Sequence, residues 1–90
     1  MAGLVTMDVT LGHQTAQVFN NAAEEAQALV NKVNGQVNQL EATWKGVSRD
    51  RFMPEYEGWK QDLMRCIQLL RDISTRIETE TRQIEEADNA

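Results

Sequence analysis

The sequence predicts an all-α protein, an antiparallel two-helix hairpin that forms a single domain over residues 1–90. Two long segments carry apolar residues at helical spacing, and only a short stretch separates them. Pro54 is the only proline and glycine is scarce, so the chain offers few loops. We expect helix 1 over about residues 9–43, a turn at 44–47 and helix 2 over about residues 48–86.

Helix 1 is predicted from a stripe of apolar residues along one face. They follow one another in steps of 4, 4, 3, 4, 4, 3 and 4 residues, an eleven-residue repeat close to the helical period. The stripe consists of Val18, Ala22, Ala26, Leu29, Val33, Val37, Leu40 and Trp44. Asp8 or Thr10 suits the N-cap. Asn34-Gly35 would also suit a type I′ β-hairpin, but residues 22–32 follow helical rather than alternating spacing.

Helix 2 is predicted from a seven-residue repeat. The first line of this repeat is Tyr56, Leu63, Leu70, Ile77 and Ile84. A second line three positions later holds Trp59, Cys66 and Ile73, and Ile67 and Leu69 widen the stripe. Two such lines are the a and d positions of a helix-packing seam.

Pro54 constrains the start of helix 2. A helix already running from Ser48 would lose the hydrogen bond to the carbonyl of Asp50, because proline has no N–H. Proline is tolerated only in the first turn of a helix. We therefore expect a kink or a restart at Pro54.

The two stripes exceed what one hairpin can bury. A pair of helices has a single interface, and much of each stripe would stay in water. A dimer that forms a four-helix bundle would cover the rest. The residues expected in the dimer interface or core are Val18, Leu29, Val33, Val37, Leu40, Phe52, Tyr56, Trp59, Leu63, Ile67, Leu70, Ile73 and Ile77.

No pattern in the sequence indicates catalysis. His13 and Cys66 are far apart, and neither has the neighbours of a nucleophile–base pair or a metal site. We expect no enzyme activity, no cofactor and no metal, with His13 facing solvent and Cys66 as a small buried hydrophobe.

Charge and hydropathy exclude two classes of partner. The net charge is −5, and acids and bases are interspersed over residues 44–90, so the basic stripe that nucleic acid requires is missing. No apolar run approaches the roughly 18–20 residues of a membrane span, and no basic amphipathic face suits a membrane surface. Residues 1–7 lack the basic and apolar regions of a signal peptide, so we expect synthesis in the cytoplasm without one.

Over essentially its whole length the chain resembles the WXG family, small helical hairpins exported by type VII (early-secreted-antigen-type) secretion systems. The resemblance is carried by Trp44-Lys45-Gly46 at the centre, by Leu40 before it, and by Phe52 and Trp59 after it. It implies that Trp44 and Gly46 form the turn and help to present an export signal together with a partner chain. Relatives carry a Tyr-x-x-x-Asp/Glu signal after helix 2, where this chain has Ile84 and Asp88, a degenerate version.

The resemblance therefore implies a non-enzymatic protein of a type VII system. It would be exported as a dimer with itself or with a paralogous hairpin, or would act as the helical partner of an exported protein, and it would contact the export machinery. The alternatives are a cytoplasmic structural or adaptor hairpin that is not exported, and an enzyme subunit without a site of its own.

Overall fold

Two antiparallel helices make up the fold. The computed structural model describes residues 6–88, and the side chains of residues 6–87. Helix α1 spans Val9–Thr43 and helix α2 spans Val47–Asp88, and this range holds no strand. Contacts from α1 to α2 run in opposite chain directions, since residue 16 meets residue 74 and residue 34 meets residue 56. The predicted all-α hairpin is confirmed, and Asn34-Gly35 lies inside α1 rather than in a β-turn.

Local hydrogen bonds define where α1 begins and where it ends at the turn. Asp8 is the N-cap of α1, and its Oδ1 accepts a hydrogen bond from the Leu11 N–H at 3.0 Å. Trp44 is the C-cap, with its N–H donating to the Glu41 carbonyl at 3.3 Å. Gly46 then takes a φ of +114°, a value that residues with a side chain rarely adopt. This one residue allows the chain to reverse within three positions.

Helix α2 continues without a break across Pro54, so the helix does not restart there. The Asp50 N–H donates to the Gly46 carbonyl at 3.1 Å, which shows that the first turn is already formed before the proline. Proline withholds the one hydrogen bond that would reach back to the Asp50 carbonyl. Asp50 is exposed, so water can satisfy that carbonyl and the helix continues.

The hairpin is a single thin layer. Its extents are 68 × 22 × 14 Å, and the smallest is close to the diameter of one helix, about 10–12 Å. The apolar side chains that it buries are Ala16, Ala23, Tyr56 and Ile67. Globular domains bury their apolar faces between two layers, and this layer leaves one apolar face without a cover.

Small residues form the seam between the helices at the open end of the hairpin. Gly12, Ala16 and Ala23 of α1 are buried. Opposite them, the Ser74 hydroxyl donates to the Ala16 carbonyl at 2.6 Å, and the buried Thr81 hydroxyl donates to the Ile77 carbonyl at 2.7 Å. A Cβ on Gly12 would lie 2.4 Å from the Thr81 Oγ1, so the backbones approach closely here. Gly35, in the same helix, has open space around it within the chain.

Candidate functional site

Aromatic rings gather beside the turn. The Trp44 and Phe52 ring centroids are 5.3 Å apart at an interplanar angle of 40°, and Phe52 stacks on Tyr56 at 5.9 Å. Trp59 meets the edge of Phe52 at 6.3 Å and is 56% exposed. Such pairs contribute about 0.5–1.5 kcal/mol each beyond their buried area. The structure thus brings four sequence-predicted residues together and leaves one large ring open to solvent.

Arg49 links the two helices across the turn. Its guanidinium forms an ion pair with Glu41 at the end of α1 and lies 3.2 Å from the Asp50 carboxylate. Hydrogen bonds to Asp50 and Glu41 raise the pKa of the Arg49 guanidinium. The Arg49–Glu41 pair spans from one helix to the other, so it links the two helix ends that flank the turn.

Replacing Gly46 with alanine is expected to destabilise the hairpin. Alanine at a φ of +114° is strained, and such backbone strain costs of order 1–3 kcal/mol in the free energy of unfolding. Urea unfolding followed by circular dichroism measures this. The control is Gly58→Ala, inside α2 and with open space around it, which should gain up to about 1 kcal/mol from helix propensity. Equal effects of the two substitutions would contradict a conformational role for Gly46.

An apolar groove of about 450 Å³ runs along one face of the hairpin. Side chains from both helices line it, and the only charged one is Lys60. The lining from α1 is Ala26, Leu29, Val30, Val33 and Val37. The lining from α2 is Phe52, Tyr56, Trp59, Lys60, Leu63, Cys66, Ile67 and Leu70. We call this surface the apolar groove.

The predicted interface stripe lies mostly on or near this face rather than inside the hairpin. Its α1 members are largely exposed, with Val18 at 64% and Leu29 at 63%, and Val33 and Leu40 about half exposed. On α2, Trp59 and Leu63 are exposed at 56% and 54%, and the remaining members are half-buried or buried within the hairpin. Half-buried are Val37, Phe52, Leu70, Ile73 and Ile77, and buried are Tyr56 and Ile67. One chain alone therefore leaves much of the stripe exposed to solvent.

A polar contact crosses the hairpin at the edge of the apolar groove. The Asn34 Oδ1 accepts hydrogen bonds from the Tyr56 hydroxyl at 3.0 Å and from the Lys60 ammonium at 3.3 Å. Lys60 also pairs with Glu57 at 3.0 Å. The charge of Lys60 is thus compensated by its neighbours, which keeps the groove itself apolar in character.

The two residues of the candidate export signal fall at the far end of α2. Ile84 is half-buried, as a continuation of the seven-residue repeat would require. Asp88 is the last residue of α2, and its side chain lies outside the described residues. The structure places these residues at the open end, remote from Trp44 and Gly46 in the same chain.

Two expectations from the sequence are wrong. Cys66 is exposed, and it lines the apolar groove instead of filling a core. His13 does not simply face solvent: its Nδ1 lies 2.9 Å from the Glu78 carboxylate and its Nε2 lies 3.3 Å from the Glu85 carboxylate. Glu78 and Glu85 stand seven positions apart on one face of α2, a spacing that could have pointed to a shared partner.

Two negative findings apply to the described residues. Within 6–88, no three His, Cys, Asp or Glu side chains are grouped so that they could hold a metal ion. Neither helix, over the range that the structure describes, contains a stretch long and apolar enough to cross a membrane.

The fold, the central Trp-x-Gly turn and the open apolar groove define a class of small helical hairpins. The chain belongs to the WXG100 family, described as proteins of 100 residues with WXG, which it matches over residues 7–89. This confirms the resemblance inferred from Trp44, Gly46 and the residues around them.

Individual relatives agree with this assignment. Protein YukE of Bacillus subtilis (strain 168) is 24% identical over 88 residues, an alignment that covers 98% of this chain and 91% of YukE. The structure of the secreted protein EsxB from Bacillus anthracis strain Sterne superposes with a TM-score of 0.83 at 29% identity, over 96% of this chain and 98% of EsxB. A point mutant of EsxB gives a TM-score of 0.84 at 32% identity, over 94% and 99%.

Proposed function

We propose that this chain is a non-enzymatic protein of a type VII secretion system, exported as a dimer or acting as the helical partner of an exported protein. The observation that carries the proposal is an exposed apolar groove on a WXG-family hairpin. Its relative EsxB is described as a secreted protein. A hairpin that leaves an apolar face exposed can contribute that face to an interface with another chain.

A second copy of the chain suits the apolar groove better than a small ligand does. The groove is open and extends over both helices, whereas ligand sites bury most of the surface of the molecule they bind. A second hairpin would add the missing layer to a molecule 14 Å thick and produce a four-helix bundle. A paralogous hairpin with a similar stripe would fill the same place, and sedimentation of the purified chain alone distinguishes these two partners.

The candidate signal would then act between chains. In an antiparallel hairpin Trp44 and Gly46 lie at one end, and Ile84 and Asp88 lie at the other. A partner that packs in the opposite direction would bring its own α2 end beside Trp44. We propose that Ile84 weakens the signal of this chain, so that export benefits from a partner with tyrosine at the matching position.

Export is tested by comparing cells with and without the ATPase of the type VII system. Blots of culture supernatant and lysate should show the protein outside only when the ATPase is present, with a cytoplasmic marker as the control for lysis. No protein outside in either strain would favour the cytoplasmic adaptor, and equal amounts outside in both strains would contradict export by the type VII system.

The same assay examines the recognition role of Trp44. Trp44→Ala should reduce export more than Phe52→Ala, although Trp44 takes part in one ring pair and Phe52 in three, and each pair contributes about 0.5–1.5 kcal/mol. Thermal unfolding of the two variants checks that Phe52→Ala loses at least as much stability as Trp44→Ala. If export falls in proportion to stability in both, Trp44 only builds the turn.

A further inference from the structure

A cluster of one imidazole and two carboxylates joins α1 to α2 at the open end of the hairpin. The His13 Nδ1 lies 2.9 and 3.0 Å from the two oxygens of Glu78. The Nε2 lies 3.3 and 3.4 Å from the two oxygens of Glu85. The ring nitrogens point in opposite directions along α2, so the three groups span almost two helical turns and do not converge on one point.

This geometry requires two N–H donors from the imidazole. A carboxylate only accepts hydrogen bonds, and a neutral imidazole has one N–H and one bare nitrogen. With neutral His13, either Glu78 or Glu85 would face a lone pair instead of a donor. Glu85 has the longer contacts, so it is the carboxylate that the neutral ring releases first.

The charges around His13 favour the imidazolium form. On α2 it faces Glu78, Glu85 and Arg82, and Arg82 is paired with Glu78 at 3.2 Å. On its own helix, the preceding acidic residue is Asp8, which is occupied in capping α1. The imidazolium between the two carboxylates stabilises both. Beside a neutral ring, Glu78 keeps its ion pair with Arg82, but both carboxylates lose the positive charge of His13.

Helix α2 also needs a cation near its C-terminal end. Glu85 and Glu86 lie in the final turns, and the last turn contains no basic residue. Carboxylates are unfavourable there because the C-terminal end of a helix dipole is negative. The imidazolium of His13, contributed by the other helix, is the charge that the end of α2 lacks.

We propose that His13 is a pH-operated clamp, closed on Glu78 and Glu85 when its ring is protonated and open when the ring is neutral. Opening would free the last turns of α2, which include Ile84. The clamp belongs to the hairpin itself and does not depend on export or on a dimer.

The pH range in which the clamp is closed follows from the pKa shifts of His13 and Glu78. The hydrogen bond to Glu78, opposed by desolvation and aided by Glu85, raises the pKa of His13 above 6.5. The same bond lowers the pKa of Glu78 below 4.5. The stabilisation of the folded hairpin by His13 is complete below pH 6.5 and is lost as the pH rises through the raised pKa of His13. Stabilisation by Glu78 is present above 4.5 and is lost as the pH falls through the lowered pKa, so the clamp is most closed between pH 4.5 and 6.5.

Proton NMR of the purified full chain tests the clamp directly, because His13 is the only histidine and its ring signals need no assignment. The wild-type ring should titrate above 6.5. Glu78→Gln should shift this pKa down the most and Glu85→Gln less. The control is Glu86→Gln, which makes the same charge change at an exposed neighbour and should shift it least. A wild-type pKa at or below 6.5, or an equal shift in the control, would overturn the proposal.

Amide hydrogen exchange provides the readout of opening. After correction for intrinsic rates, residues 82–87 should lose protection between about pH 5.5 and about pH 8.5 in the wild type. His13→Gln keeps a hydrogen-bonding side chain that does not titrate. In this variant the protection of residues 82–87 should change over that pH range no more than the protection in the middle of α2 does. The same pH dependence in both proteins would contradict a switch.

Discussion

Replacing Leu63 with lysine is expected to convert the proposed dimer, of about twice 10.2 kDa, into a monomer. Leu63 lines the apolar groove and is 54% exposed in the single chain. Burial of a leucine side chain contributes about 1.5–3 kcal/mol, and a symmetric dimer carries the change twice. The resulting loss of about 3–6 kcal/mol weakens association more than a hundredfold, which sedimentation at several concentrations measures.

Leu69 supplies the matched control for this substitution. It lies on the same helix and is 57% exposed, but it does not line the apolar groove. Leu69→Lys introduces the same charge and should leave the dimer in place. A wild-type chain that sediments as a monomer, or two variants that dissociate alike, would show that the groove is not the dimer surface.

Replacing Gly12 with alanine is expected to lower the melting temperature, whereas Gly35→Ala should raise it. Both positions lie inside α1, so both gain the helix propensity of alanine, up to about 1 kcal/mol. Only at Gly12 does the new Cβ meet Thr81, at 2.4 Å from Oγ1 and 2.9 Å from Cγ2. The propensity gain cancels between the two variants, and their difference equals the cost of overpacking, about 1–3 kcal/mol.

Thermal unfolding at one fixed protein concentration measures this difference, because the melting temperature of an associating protein depends on concentration. For a domain of this size 1 kcal/mol corresponds to about 4–8 °C. A second substitution, Thr81→Ala, removes two of the three atoms that the new Cβ would meet, and the third, the Met7 Sδ at 2.8 Å, ends a flexible side chain that can move aside. It should therefore cost less in the Gly12→Ala background than alone. Equal melting temperatures for Gly12→Ala and Gly35→Ala would show that the helices can separate freely at this end.

The helices and the turn were predictable because local signals agree with one another. The apolar residues recur at helical spacing, Asp8 is a good N-cap, and Gly46 lies two positions after the last residue of the first stripe. The restart considered at Pro54 is absent for a local reason as well. One missing hydrogen bond to an exposed carbonyl costs too little to stop a helix whose other face is packed.

The seam between the helices was harder to find because it is built from small and polar residues. Counting large apolar side chains selects Val18 and Leu29, which the chain leaves exposed, and passes over Ala16, Ser74 and Thr81. Close packing of backbones gives these small residues their importance, and hydropathy does not measure it. Only a seven-residue recurrence, from Ala16 to Ala23 and from Ser74 to Thr81, hints at the seam.

The polar contacts across the hairpin could not be predicted from either helix alone. His13 meets Glu78 only once the register of α1 against α2 is known, and a shift of one turn, about 5.4 Å, would separate them. Cys66 was misjudged for the opposite reason. Its position in the apolar repeat is correct, but the hairpin leaves that side of the repeat uncovered.

The short turn has a consequence for the order in which the hairpin forms. Contacts near the turn join residues close in sequence, such as Asn34 and Tyr56, 22 positions apart, while His13 and Glu78 are 65 positions apart. Closing a short loop costs less entropy than closing a long one. Pairing of α1 with α2 should therefore begin at the aromatic cluster and proceed toward the termini. The last contacts to form are also the first to fray, and these hold the end of α2 that carries Ile84.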